Sequence, residues 1–231
     1  MGDNALNAEN FQKTEGFVVK FNREGISRLR SDPALGALSN YFDRVRDPLA
    51  NAWVLNVLLC NPVEEGEGKG EGEDDLAVSP HVDETLGTRS RDSFLAHVVN
   101  VLYVSLPEDM TGGRLEMYGY NWLRVKLFPY LLTYLPTAWL NRLLPPDAWV
   151  KPVENLLVSF RGDTIHRVEG YRTGNNGEGG DEGKGDVKYG KSRRVSVVLE
   201  QYSVPLLSYR FTFEYDLSSG NADHYSRGVK A

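Results

Sequence analysis

Val158-Ser159-Phe160-Arg161-Gly162-Asp163-Thr164-Ile165-His166 reads as an apolar strand, a tight turn and a histidine that leads a second strand. Upstream stands His81-Val82-Asp83, and downstream Arg194-Val195-Ser196 opens the apolar run 197–202. In an extended strand, residues i and i+2 point to the same face. His81 and Asp83 can therefore reach one ion from one strand end, and Arg194 and Ser196 can reach one ligand. A lone HxD arises often by chance. The ordered set of HxD, Gly112-Gly113-Arg114-Leu115, Gly162-Asp163-x-x-His166 and Arg194-x-Ser196 is far more specific than any of its parts. A jelly roll brings such distant strands together at one mouth, so the long interval between His81 and His166 is no obstacle.

The rest of the chain agrees with a mainly β fold carrying flanking helices. Phe17 to Phe21 reads as a short strand, and Glu24 to Val45 as two short helices divided at Pro33. Ala52 to Cys60 is a nearly continuous apolar run, as a buried strand requires. Strands are also expected over Ser93 to Leu106, Arg114 to Tyr118, Asn155 to Phe160, His166 to Val168, Arg194 to Tyr202 and Tyr209 to Tyr215, with a turn at Thr111-Gly112-Gly113. Many short strands after a helical start point to a β-sandwich or jelly roll with helices outside. The expected organisation is an N-terminal strand and helices over 1–50, a β core over 51–216 and a C-terminal tail over 217–231. Inserts fall at about 63–76, 119–150 and 174–190, the first and last being rich in Gly and charge.

A chain of 231 residues with 41% apolar content fits one domain with a substantial core. Its net charge of −6, with no long basic run, gives no reason to expect nucleic acid as a partner. The single cysteine, Cys60, excludes an intramolecular disulfide framework and suits a reducing compartment. Met1 to Glu15 lacks the basic start and apolar stretch of a signal peptide, and no window is apolar enough for a transmembrane segment. A cytoplasmic protein is the expectation; oligomeric state stays open.

Two histidines and one carboxylate are three ligands for an octahedral metal, with the other positions left open, the facial set of non-haem iron(II) oxygenases. A basic residue two positions before a hydroxyl can hold the distal carboxylate of a small dicarboxylic acid. On these motifs the chain resembles the iron(II)/2-oxoglutarate-dependent dioxygenases, in particular the prolyl 4-hydroxylase-like branch. The resemblance covers roughly residues 52 to 204 and includes Val101 to Leu106 and the Gly112-Gly113-x-Leu115 turn. It implies a double-stranded β-helix (cupin-like) core and iron held by His81, Asp83 and His166. It also implies 2-oxoglutarate held by Arg194 with help from Ser196, and O2 as co-reactant, with ascorbate as an accessory. Tyr103 is the candidate for a further cosubstrate contact, with Asn56 and Asn61 as weaker ones. Arg guanidinium binds carboxylate bidentately. Arg193 should face the other side of the strand and has no hydroxyl two residues on.

The implied activity is hydroxylation of an amino acid, a peptidyl side chain or a small natural product, with release of succinate and CO2. Asp83 in the third ligand position argues against a halogenating variant. Two rivals stand beside this reading: a cupin-like zinc hydrolase or isomerase, and a non-catalytic binding module that kept the fold. The first leaves Arg194-x-Ser196 unexplained, and the intact triad weighs against the second. His97 and Cys60 read as core residues, and His224 as a solvated one. The aromatic segment 118–150 reads as a packing hairpin, a lid over the site, or a partner or membrane-surface contact.

Overall fold

The structure is a computed structural model, and it describes residues 14–63, 76–90, 92–118, 145–174 and 193–219. The chain runs β1 (Thr14–Asn22), α1 (Ile26–Ser31), a 3-10 turn at Pro33–Leu35, α2 (Gly36–Val45), β2 (Ala52–Cys60), β3 (Leu76–His81) and β4 (Val98–Ser105). It continues through β5 (Thr111–Gly112), β6 (Leu115–Tyr118), β7 (Ala148–Val150), β8 (Leu157–Phe160), β9 (Ile165–Glu169), β10 (Tyr171–Arg172), β11 (Arg194–Tyr202), α3 (Leu206–Tyr209) and β12 (Tyr215–Ser219). A six-stranded sheet has the order β12-β1-β2-β11-β4-β8, and a four-stranded sheet the order β3-β9-β6-β7. All pairs are antiparallel.

The path between the sheets identifies the architecture. β2, β4, β8 and β11 belong to the large sheet and β3, β6, β7 and β9 to the small one. The later strands β11 and β9 insert between earlier ones, β2 and β4 in one sheet and β3 and β6 in the other. Two interleaved turns of strand that alternate between facing sheets make a double-stranded β-helix, the jelly-roll core expected from the sequence.

β2 and β11 form the centre. They pair over nine residues, from Arg194↔Cys60 to Tyr202↔Ala52. Both strands are covered on both faces, which is why each reads as an apolar run rather than an alternation. On the outer face, Phe21, Trp53, Leu55, Val197 and Leu199 pack beneath Leu29 and Phe42 of the helices. Phe21, Phe42 and Trp53 form an aromatic trio with ring centroids 5.0–5.6 Å apart. On the inner face, Val54, Leu58, Val99, Val101, Tyr103 and Tyr202 fill the space between the sheets. β11 therefore sends Arg194, Ser196, Val198, Glu200 and Tyr202 inward, by its two-residue period.

Several expectations shift. Residues 92–97 are not strand; β4 starts at Val98, because the Ala96 N–H donates to the Asp83 carbonyl and draws that segment across the barrel mouth. His97 lies there, half-buried, with Nε2 3.4 Å from Asp47 Oδ2. The strand expected over Tyr209 to Tyr215 is a helical turn and a loop, with strand beginning only at Tyr215. Pro205 opens that turn, and the Thr212 hydroxyl bonds back to the Tyr209 carbonyl at 2.7 Å. β1 and β12 extend the large sheet at its edge. Most of the three inserts and His224 lie outside the described residues. Of the aromatic segment, Tyr118 and 145–150 are described, with Trp149 exposed and the Arg114 guanidinium 5.5 Å from its ring. No helix among the described residues is long and apolar enough to cross a membrane.

Candidate active site

β3 ends at His81, β9 begins at His166's turn, and the two histidines stand opposite each other across the β3–β9 pair. The turn before His166 is tight: a Cβ on Gly162 would lie 1.9 Å from the Ala96 carbonyl oxygen, so only glycine fits. Asp83 sits two residues past β3. One ligand atom from each of His81, Asp83 and His166 lies within 4.8 Å of the others. His81 Nε2 is 3.7 Å from Asp83 Oδ1, and His166 Nε2 is 3.5 Å from Asp83 Oδ2.

The outer ring nitrogens fix the tautomers. His81 Nδ1 bonds the Ser79 carbonyl at 2.8 Å, and His166 Nδ1 bonds the Thr164 carbonyl at 3.1 Å. A carbonyl only accepts, so each Nδ1 carries the proton and each Nε2 presents a lone pair inward. Burial holds both imidazoles neutral, pushing each pKa down to about 4. Burial also pushes the Asp83 carboxyl up, to about 6, against the opposing pull of His81. Asp83 Oδ2 is buried with no hydrogen-bond partner. Three acceptors thus face one another in a desolvated space. That arrangement is unfavourable until a cation stands between them, and the donor set of two imidazoles and one carboxylate fits a divalent transition metal.

The same cavity continues to a second polar corner. Its volume is about 40 Å³, and its walls include Leu58, Val101, Leu115 and Val198. Arg194, 2% exposed, lies at the start of β11. Its Nε donates to Ser196 Oγ at 3.3 Å and one terminal nitrogen donates to the Gly113 carbonyl at 2.9 Å. Gly113 has φ of +74°, a left-handed conformation natural to glycine, which turns that carbonyl toward the guanidinium. The Arg194 guanidinium lies 5.0 Å from the Tyr103 ring centroid, and the buried Tyr103 hydroxyl has no hydrogen-bond partner. A cation, an unpartnered hydroxyl and Ser196 together form a corner suited to a carboxylate. Arg193 points outward and pairs with Glu15 at 2.9 Å.

Five of the six residues singled out from the sequence, His81, Asp83, His166, Arg194 and Ser196, line one cavity; Tyr103 is not among its lining residues and meets the site through the Arg194 guanidinium. Asn56 also lines it, but its amide donates to Glu200 Oε1 at 2.7 Å; Asn61 is not among the lining residues. Sequence reasoning missed Glu200. Its signal was available: a charged residue inside the apolar run Val197 to Tyr202, in phase with Arg194 and Ser196.

No family model and no curated protein matches the chain. Among solved structures, the chain is similar to a 2OG-Fe(II) oxygenase family oxidoreductase from Burkholderia pseudomallei, at 11% identity and a TM-score of 0.35 over 78% of this chain and 56% of that one. It is similar to IDO from Bacillus thuringiensis, at 9% identity and a TM-score of 0.40 over 81% of this chain and 73% of that one. It is also similar to a Pseudomonas putida prolyl-4-hydroxylase, at 15% identity and a TM-score of 0.35 over 83% of this chain and 74% of that one. The chain spans only 56% of the length of the Burkholderia protein.

Proposed function

We propose that the chain is an iron(II)- and 2-oxoglutarate-dependent oxygenase, with metal on His81, Asp83 and His166 and the cosubstrate's distal carboxylate on Arg194. The observation that carries this reading is the convergence of two corners on one cavity: an acceptor trio that calls for a cation, and a buried guanidinium beside an unpartnered hydroxyl. A zinc hydrolase would use the first corner and leave the second idle. Bound there, iron and 2-oxoglutarate would supply O2 activation with release of succinate and CO2, and hydroxylation of a second substrate.

The protein's own part is binding, orientation and exclusion of water. The backbone carbonyls of Ser79 and Thr164 hold the imidazoles with Nε2 inward. Arg194 offers a planar fork to a carboxylate, Tyr103 a hydroxyl donor and Ser196 a second one. The apolar walls keep the metal corner dry, so these contacts act at low effective dielectric. The second substrate belongs to the amino acids, peptidyl side chains or small natural products. An iron(II) centre and one buried free cysteine suit a reducing compartment, and we place the protein in the cytoplasm.

The test is anaerobic purification and metal analysis, then succinate release from 2-oxoglutarate under O2, with and without ascorbate. Iron near one equivalent and succinate formation that disappears in His166→Ala are expected. Firmly held zinc with no succinate formation overturns the reading.

A further inference from the structure

Among the charged side chains that line the cavity, Glu200 is the one without a role in the reading above. It is 1% exposed and lies on β11, on the same face as Arg194. Six residues of strand put about 20 Å between them, so Arg194 marks one end of the cavity and Glu200 the other. Asp83's own segment is tied to the Glu200 end through Thr85.

Every donor to this carboxylate is neutral. Asn56 Nδ2 reaches Oε1 at 2.7 Å, the Thr85 hydroxyl lies 2.8 Å from Oε1 and 2.7 Å from Oε2, and the Tyr202 hydroxyl bonds Oε2. Such donors orient a carboxylate and favour its ionised form without cancelling its charge. Burial and the nearby Asp83 charge act the other way and push its pKa up. No cation among the described residues is paired with it.

The charges of the filled cavity sharpen the point, given the proposed function on which this step rests. A divalent metal and a dicarboxylate cancel, as do Asp83 and Arg194. Glu200 is the carboxyl left over: burial pushes its pKa up to about 7, so it takes a negative charge there once a cation stands beside it. A buried charge needs a partner.

We infer that Glu200 is the anionic anchor for a protonated nitrogen of the second substrate, so that the substrate is a basic amino acid or amine. The nitrogen docks at the Glu200 end and sets which carbon of its chain faces the metal. Glu200 is then a specificity-determining residue, Asn56 and Tyr202 preset its carboxylate, and Thr85 ties the Asp83 segment to it. The bland rival is a clamp, in which Glu200 only ties the Asp83 segment to β11.

The experiment is calorimetric titration of the iron- and 2-oxoglutarate-loaded protein, kept anaerobic, with three matched pairs. These are L-lysine against L-norleucine, L-arginine against L-citrulline, and 1,5-diaminopentane against 1-pentanol. The cationic member of at least one pair should bind about tenfold tighter or more, as a charge-assisted contact requires. That preference should vanish in Glu200→Gln, which keeps shape and removes charge. It should survive in Thr85→Val, which loosens the clamp and keeps the charge. Absence of any cationic preference in the wild-type protein overturns the inference, as does a preference that persists in Glu200→Gln or disappears equally in Thr85→Val. Failure of the oxygenase reading shows separately, as protein that holds neither iron nor 2-oxoglutarate. The same pairs titrated into that metal-free protein still read the Glu200 preference.

Discussion

The lone pairs of His81, Asp83 and His166 meet at a buried point where Asp83 Oδ2 has no hydrogen-bond partner, so the metal-free protein carries an electrostatic conflict at its own site. Asp83→Asn removes the charge while keeping the shape. It should raise the melting temperature of the metal-free protein and abolish the further rise that metal gives the wild type. No change in the metal-free melt would show that the conflict is relieved in some other way. The pH dependence follows from the same groups. Asp83 must lose its proton before it binds metal, and its carboxyl sits at about 6, whereas both imidazoles are neutral above about 4. Metal affinity should therefore fall as pH drops through about 6, with one proton taken up per metal released, and more steeply near 4. Chelator competition across that range checks it; constant affinity down to about pH 5 would mean that Asp83 is already ionised. At the other corner, Arg194→Lys keeps the charge but loses the fork. It should weaken 2-oxoglutarate binding roughly tenfold to a hundredfold, while Arg193→Ala, on the outer face, changes it little. A larger loss at Arg193 would put the wrong face of β11 inside. These residues were legible because HxD and R-x-S each repeat at two, the period that puts both side chains of a pair on one strand face. Glu200 was legible only in part: its two-residue phase puts it on the face of Arg194 and Ser196, but a lone acid in an apolar run carries no motif that names a role.

At the scale of elements, legibility tracked burial on both faces. β2 and β11 are read from the sequence to the residue, because long apolar runs have one physical home. β7 is three residues long beyond an insert, and β12 is an edge strand paired with β1 alone in the sheet. Neither has a pattern of its own to read. The Gly112-Gly113 turn was legible as a turn, and its link to Arg194 became visible only in space. Gly113→Ala forces a side chain into the left-handed region, with a Cβ 3.3 Å from Tyr171 Cβ. It should destabilise the fold by about 1–3 kcal/mol and weaken 2-oxoglutarate binding through the displaced carbonyl. Calorimetric titration beside a denaturant melt measures both. Loss of stability with unchanged cosubstrate affinity would separate the turn from the site.

Over the whole molecule, the two apolar layers divide the work. The inner one walls the cavity, and the outer one seats α1 and α2 on the large sheet. Phe42→Ala strips the aromatic trio and should cost about 3–5 kcal/mol, yet metal affinity of the remaining folded protein should hold, since the layer touches no ligand. A fall in affinity parallel to the fall in stability would mean that the helices brace the site. The topology has one more implication, for the order of assembly. β11 fills the gap between β2 and β4, and it follows every other barrel strand in the chain. A nascent chain stopped ahead of Arg194 already holds all three ligands but lacks the strand that closes their cavity. Closure must join residue 194 to residue 60, a non-local contact of the kind that makes β proteins fold in milliseconds to seconds. On the proposed function, metal loading would be a late event in the life of each molecule, and a chain truncated before β11 should retain no metal through gel filtration.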